Sequence, residues 1–221
     1  SLESMQLPYL ILSGDENIAK KQISEALTIA KTRNSPVSII VKKNTFDIFQ
    51  SSKKISSYEL SREDAIISVT KELDANSAIV CTTGMPSREL FEFREANGEK
   101  HNMDFLTVGG MGHANQIALG LSIAQPYRKV YCFDGGAALM HLGSFAINGQ
   151  SNSKNFIHIL FNNGVHDSVG GQPTVGFDIS FCDIAMACGY KSIETISNKD
   201  EIKNAVKHAT NTEGPNFIEI R

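Results

Sequence analysis

Asp134 closes the apolar run "VYCFD" and is followed at once by Gly135, Gly136 and the small residues Ala137 and Ala138. Glycines let a ligand approach the backbone, and the N–H groups of a helix start attract anions. A carboxylate beside them adds a ligand for Mg2+, which takes one or two protein oxygens together with phosphate oxygens. Alone, the pattern reads more simply as a helix with Asp134 as its N-cap. The next apolar run, "NFIHILF", ends in Asn162, Asn163 and Gly164, again an ordinary turn in isolation. Taken together they differ. One helix and one strand apart, they put a carboxylate and neutral amide oxygens at neighbouring strand ends of one sheet. A further loop, "TVGGMGHA", gathers Gly109, Gly110 and Gly112 around Met111 ahead of a helix, and "CTTGMPS" brings Thr83 and Gly84.

Among the histidines, His166 stands in the most glycine-rich loop, "NNGVHDSVGGQPT", where an imidazole can donate a hydrogen bond or a proton. His113 and His141 lie nearby in sequence pattern, and His141 reads as a core or interface residue inside an apolar helix. No histidine pair has metal-ligand spacing on a helix face, which argues against zinc. The four cysteines, Cys81, Cys132, Cys182 and Cys188, lie in or beside apolar segments without CxxC spacing. They read as buried thiols of a reducing compartment. There is no P-loop, no nucleophile elbow, and no GxGxxG turn with a suitably spaced acid, which disfavours a nicotinamide-binding oxidoreductase.

The elements that must hold these loops alternate regularly. After Ser61, which reads as a helix N-cap for "REDAIISVTKEL", continuous apolar strands ("SAIVC", "DFLTV", "KVYCFD", "NFIHILF", "KSIETI", "NFIEI") alternate with helices. The run "AALMHLGSFAING" is expected to be one helical stretch. Such alternation predicts an α/β fold, a parallel sheet with helices on both faces, with ligands beyond the C-terminal ends of the strands. Before Ser61, "PYLIL", a helix with Ala19, Ile23, Ala26, Leu27 and Ala30 on one face, and "SPVSIIVKK" form a βαβ unit whose second strand is expected to be buried. A polar Ser/Lys-rich stretch follows. In 221 residues with 41% hydrophobic content and a net charge of −3, nothing calls for nucleic acid, and no apolar run reaches membrane-spanning length. The opening residues lack the pattern of a secretion signal, so a cytoplasmic protein is expected.

The ordered set "GMPSREL", "VGGMGHA", "FDGGAALMHLG" and "NNGVHDSVGGQPT" resembles the diphosphate-binding domain of thiamin-diphosphate-dependent 2-oxo acid decarboxylases. Within that family it is most like the members acting on phosphonopyruvate, with sulfopyruvate decarboxylases as close relatives. The resemblance implies the thiamin-diphosphate-binding fold over residues 61–221, a linker over 45–60, and the tail of the pyrimidine-binding domain over 1–44. Implied cofactors are thiamin diphosphate and Mg2+. The resemblance assigns cofactor binding to Thr83, Gly84, Gly109, Met111, His113, Asp134, Gly135, Gly136, Ala137, Asn163 and Val165. Asn163, Val165 and, provisionally, Asp134 would ligate the metal, and His166 and Ser168 would act at the substrate. The loop from His166 to Thr174, with Ser168, Gly170, Gly171 and Gln172, would bind the acidic group.

Two departures stand out. The family motif is Gly-Asp-Gly, and an Asp is wanting here between Gly135 and Gly136. Asp134 serves in a shortened turn, or a residue is missing from the sequence as read, or the acid is truly absent; the match on both flanks favours the second. The family also activates its cofactor with a glutamate early in the pyrimidine-binding domain, and no glutamate of this chain takes that role. The expectation is a piece of a longer chain, or a chain completed by a partner carrying that domain, in an assembly at least dimeric. A non-catalytic cofactor-binding or assembly subunit is the alternative.

Overall fold

A computed structural model describes residues 2–47, 58 and 60–221, which divide between two compact units, Ser1–Ile55 and Ser56–Arg221. Most of the stretch expected to be a linker lies outside the described residues.

In the first unit, β1 (Tyr9–Ile11) and β2 (Ser38–Ile40) pair in parallel across α1 (Glu16–Arg33). Asp15 caps α1 by accepting from the Ile18 amide at 2.9 Å, and Asn34 ends it in the left-handed region, φ 48°. The second strand, expected to be buried, is half-exposed, with Ile39 open to solvent. Two strands and one helix offer too little surface to cover both faces.

The second unit holds a six-stranded parallel sheet in the order β4-β3-β5-β6-β10-β9. Its strands are β3 (Ala78–Cys81), β4 (Asp104–Leu106), β5 (Val130–Asp134), β6 (Phe156–Phe161), β9 (Ile193–Ile196) and β10 (Asn216–Ile220). Its helices are α2 (Arg62–Lys71), α3 (Met85–Ala96), α4 (Ala114–Ala124), α5 (Gly143–Gln150), α6 (Phe181–Cys188) and α7 (Lys199–Asn211). Ser61 caps α2, accepting from the Asp64 amide at 3.1 Å. The α/β architecture expected from the alternation is the one observed.

Strand periodicity sorts the core into two layers. Ile79, Cys81, Tyr131, Phe133, Ile157, Ile159, Phe161 and Ile218 face one layer, with Ile66 of α2, Leu90 of α3 and Ile202 and Val206 of α7. Ala78, Val80, Val130, Cys132, Phe156, Leu160 and Phe217 face the other, with Ala118 of α4, Phe145 of α5 and Phe181 of α6. Burial pushes the Cys81 thiol up to about 12 and the Cys132 thiol well above its ordinary value, so both stay protonated at neutral pH.

Two local expectations change. The helical run after Gly135 is broken into a 3-10 segment, Gly136–His141, and then α5. The glycine-rich loop contains a short antiparallel pair, β7 (Val165–His166) with β8 (Gln172–Pro173), enclosing the 3-10 turn Asp167–Val169. No helix among the described residues is long and apolar enough to cross a membrane.

Helices α5 and α6 touch backbone to backbone at Gly149. A Cβ there would overlap the Cys188 carbonyl, the same group that accepts from Gln150 Nε2 at 2.9 Å. Gly149→Ala should therefore destabilise the protein by about 1–3 kcal/mol despite the better helix propensity of alanine. A thermal melt reads this as a drop of about 2–4 °C per kcal/mol.

Candidate active site

Following β3 the chain forms α3 and adds β4 on one side, and following α4 it returns to add β5 on the other. The winding reverses between β3 and β5, and such a reversal opens a crevice beyond the strand ends. That crevice, of about 50 Å³, is lined by Thr82, Thr83 and Pro86 after β3, Gly135 and Gly136 after β5, and Asn163, Val165, His166 and Ser168 after β6. Met111 joins it from the loop ahead of α4. Beside it lies a cleft of about 440 Å³ that shares Arg62, Phe161, Asn163 and Asp167.

Close approach of backbones shapes the crevice. A Cβ on Gly136 would stand 3.3 Å from the Val165 carbonyl oxygen and 3.8 Å from His166 Nδ1. At Gly84, φ is 97° and a Cβ would collide with Ser168 Oγ, which accepts from the Met85 amide at 3.2 Å. The Gly109 amide donates to Thr83 Oγ1 at 3.2 Å, tying the Met111 loop to the β3 end. Asn163 Oδ1 accepts from the Val165 amide at 3.3 Å. Asn162 turns the other way, its Nδ2 donating to the Gly176 carbonyl and to Glu219 Oε1, both at 2.7 Å. In the wall, the buried Oγ1 of Thr82 has no partner. A buried hydroxyl without a hydrogen bond is costly; the atom that Thr82 turns toward Gly135 is its methyl Cγ2, 3.8 Å from where a Cβ on that glycine would stand.

Not every candidate converges here. His113 and His141 pair with each other, ring centroids 4.4 Å apart, in a separate depression with Gly112, Gln116 and Ile147. Gly84 and Gly109 are not lining residues of the crevice, but touch Ser168 and Thr83, which are. Ala137 belongs to the 3-10 segment after the glycines.

Asp134, provisionally a metal ligand, is not among the residues that line the crevice. Its position at the end of β5 shares parity with Val130 and Cys132, which directs the side chain into the α4–α5–α6 layer, where it is fully buried. Its Oδ1 accepts from the Gly135 amide at 2.9 Å, and its Oδ2 accepts from Asn115 Nδ2 at 3.1 Å and meets His158 Nε2 at 3.3 Å. His158 Nδ1 in turn meets the Tyr190 hydroxyl at 3.1 Å. Cys132, Asp134 and His158 hold donor atoms within 4.8 Å of one another. With the thiol kept protonated by burial and the carboxylate already bonded, this is a hydrogen-bonded core cluster.

Residues 82–220 match the family model "Thiamine pyrophosphate enzyme, C-terminal TPP binding domain". The chain belongs to this family. A phosphonopyruvate decarboxylase of Streptomyces viridochromogenes is 37% identical over 150 residues, 67% of this chain and 36% of the relative. A sulfopyruvate decarboxylase subunit beta of Methanococcus maripaludis is 32% identical over 161 residues, 72% of this chain and 83% of the relative. The chain thus spans little more than a third of the phosphonopyruvate decarboxylases it matches, 36% and 38%. In fold, a putative thiamin diphosphate-dependent enzyme from Mycobacterium smegmatis superposes with TM-score 0.61 at 14% identity, over 96% of this chain and 43% of the other. A 2-oxoglutarate:ferredoxin oxidoreductase from Magnetococcus marinus gives 0.59 at 16% identity, over 78% and 65%.

For a thiamin pyrophosphate enzyme, the crevice suits the diphosphate end of the cofactor: two glycines at a helical start, the unpartnered Thr82 hydroxyl, and room that a Gly136 side chain would fill. Its fit to a metal is narrower. Asn163 and Val165 offer neutral oxygens, and among the described lining residues the one carboxylate, Asp167, is paired with Arg62. Sequence reasoning missed Arg62, Thr82 and Asp167. Thr82 is adjacent to Thr83 in the loop after β3, whereas nothing local marks Arg62, which is distant in sequence from its partners.

With Asp134 a core residue, Asp134→Ala should strip partners from the Gly135 amide, Asn115 and His158 together. Metal-free protein should lose about 2 kcal/mol or more. Thermal melts in a chelator test this. An unchanged melting temperature accompanied by lost Mg2+ affinity would return Asp134 to the role of ligand.

Proposed function

We propose that the complete protein is a thiamin-diphosphate- and Mg2+-dependent decarboxylase of an acidic 2-oxo acid, with phosphonopyruvate, converted to phosphonoacetaldehyde and CO2, as the substrate. The observation that carries this is the convergence of Gly135, Gly136, Asn163, Val165 and the partnerless Thr82 hydroxyl at the β3–β5 crevice. Identities of 36–37% to phosphonopyruvate decarboxylases against 29–34% to sulfopyruvate decarboxylases favour the phosphonate.

When bound, thiamin diphosphate supplies a carbon nucleophile and an electron sink for loss of CO2. This chain's residues anchor and orient. The amides of Gly136 and Ala137 and the Thr82 hydroxyl bind diphosphate oxygens, with Thr83 and Gly135 in the wall. Asn163, through its side-chain oxygen, and Val165, through its carbonyl, hold Mg2+. Gly109 would offer its carbonyl to the pyrimidine end, and Met111 would support the cofactor from the loop ahead of α4. His166 holds a proton at a ring nitrogen near the substrate, and Ser168 and the amides up to Thr174 receive the anionic group. Residues 1–44 form the tail of the pyrimidine-binding domain. The activating glutamate comes from the rest of that domain, in this polypeptide or a partner, within an assembly at least dimeric.

A second reading is favoured by the turn one Asp short of the family motif: a cofactor-binding subunit without turnover of its own. A sulfopyruvate decarboxylase subunit is a third, favoured by the 83% coverage of a beta subunit. One experiment separates them. Phosphonopyruvate and sulfopyruvate are supplied to the full-length protein with thiamin diphosphate and graded Mg2+, and aldehyde is measured. Turnover of phosphonopyruvate is expected. Inserting an Asp between Gly135 and Gly136 should lower the half-saturating Mg2+ by about tenfold or more, because ligand charge sets cation affinity. No turnover by either protein supports the non-catalytic subunit, and preference for sulfopyruvate supports the third reading.

A further inference from the structure

The loop that carries His166 and Ser168 is latched to the body of the unit by an arginine from a distant helix. Arg62, the first residue of α2, donates from Nε to Glu89 Oε2 at 2.9 Å and from Nη2 to Glu89 Oε1 at 2.6 Å. The same Nη2 donates to Asp167 Oδ2 at 2.9 Å. The side chains of Arg62 and Glu89 are each 10% exposed, and that of Asp167 is 47% exposed. The pairing is therefore unequal. A two-pronged bond to a buried carboxylate fixes the plane of the guanidinium, and the aimed guanidinium then receives a half-exposed acid. Burial works to lower the Arg62 pKa, but its bonds to Glu89 and Asp167 outweigh that and raise it, so the charge persists.

Asp167 and Ser168 are consecutive, and both are held: Asp167 by Arg62, and Ser168 Oγ by the Met85 amide. His166, immediately before them, reaches toward Gly136 in the crevice. We infer that Arg62 is a positioning residue, which through Asp167 fixes where His166 and Ser168 stand relative to the Gly135–Gly136 turn. The inference rests on the proposed reading of that crevice as the substrate site. It has a second footing in the ion pair itself, which is independent of any ligand.

Asp167→Asn tests it with least disturbance, since the buried Arg62–Glu89 pair remains. Hydrogen exchange is measured on the full-length protein without ligand. The reporters are the Gly171 amide, bonded to the His166 carbonyl at 3.0 Å, and the Thr174 amide, bonded to the Gly164 carbonyl at 2.8 Å. Their exchange should quicken about fivefold, with α2 and α3 amides unchanged. Arg62→Lys, which keeps the charge but not the fork, should fall between wild type and Arg62→Met. In active enzyme, KM for the 2-oxo acid should rise more than kcat falls, a split that mere loss of folded protein would not produce. Unaltered exchange at both reporters overturns the inference, as does quickened exchange with an unaltered KM. Inactivity of the wild type would count against the proposed function, while the exchange measurement would still decide whether the latch exists.

Discussion

The reversal of winding between β3 and β5 is the constraint on which the site depends. Parallel strands must be joined by crossovers, and successive crossovers in one direction leave no gap at the strand ends. Here α3 leads outward to β4 and α4 leads back to β5. The loops after β3 and β5 therefore part, and Thr82, Thr83, Gly135 and Gly136 border the gap. The loop after β6 closes it from the side. Everything proposed for this protein is chemistry at that gap.

The turn after β5 owes its shape to an acid that never reaches the gap. Asp134 is the last residue of β5, its buried side chain bonded to the Gly135 amide on one oxygen and to Asn115 and His158 on the other. A buried carboxylate is tolerable only when so bonded. The same bonds join α4, β5 and β6 where the glycine turn begins. The oxygens that Asn163 and Val165 offer at the gap are neutral, so the diphosphate site proposed there would rest its charge balance on backbone amides and on a cation.

The sheet and its helices were legible because buried parallel strands read as unbroken apolar runs and a helix can carry its own cap, as at Ser61. The crevice was legible as a set of glycine-rich strand ends. The direction of Asp134 was also available: Val130, Cys132 and Asp134 alternate with Tyr131 and Phe133, and that alternation assigns the acid to a buried layer. The pairing of Arg62 with Asp167 had no local signal, since only the packing of α2 against α3 and the loop brings them together. The half-exposed β2 and the 3-10 break at Gly136–His141 depend on what covers a face and on turn geometry, neither of which an apolar pattern encodes.

The most direct test of the account is calorimetric titration of thiamin diphosphate into the full-length protein at saturating Mg2+, repeated with Asn163→Ala and with Thr82→Val. One binding event per chain is expected, weakened about tenfold or more by loss of the Asn163 oxygen and more modestly by loss of the Thr82 hydroxyl. Absence of binding to the wild-type protein, or binding indifferent to both substitutions, would contradict the claim that the β3–β5 crevice holds the diphosphate.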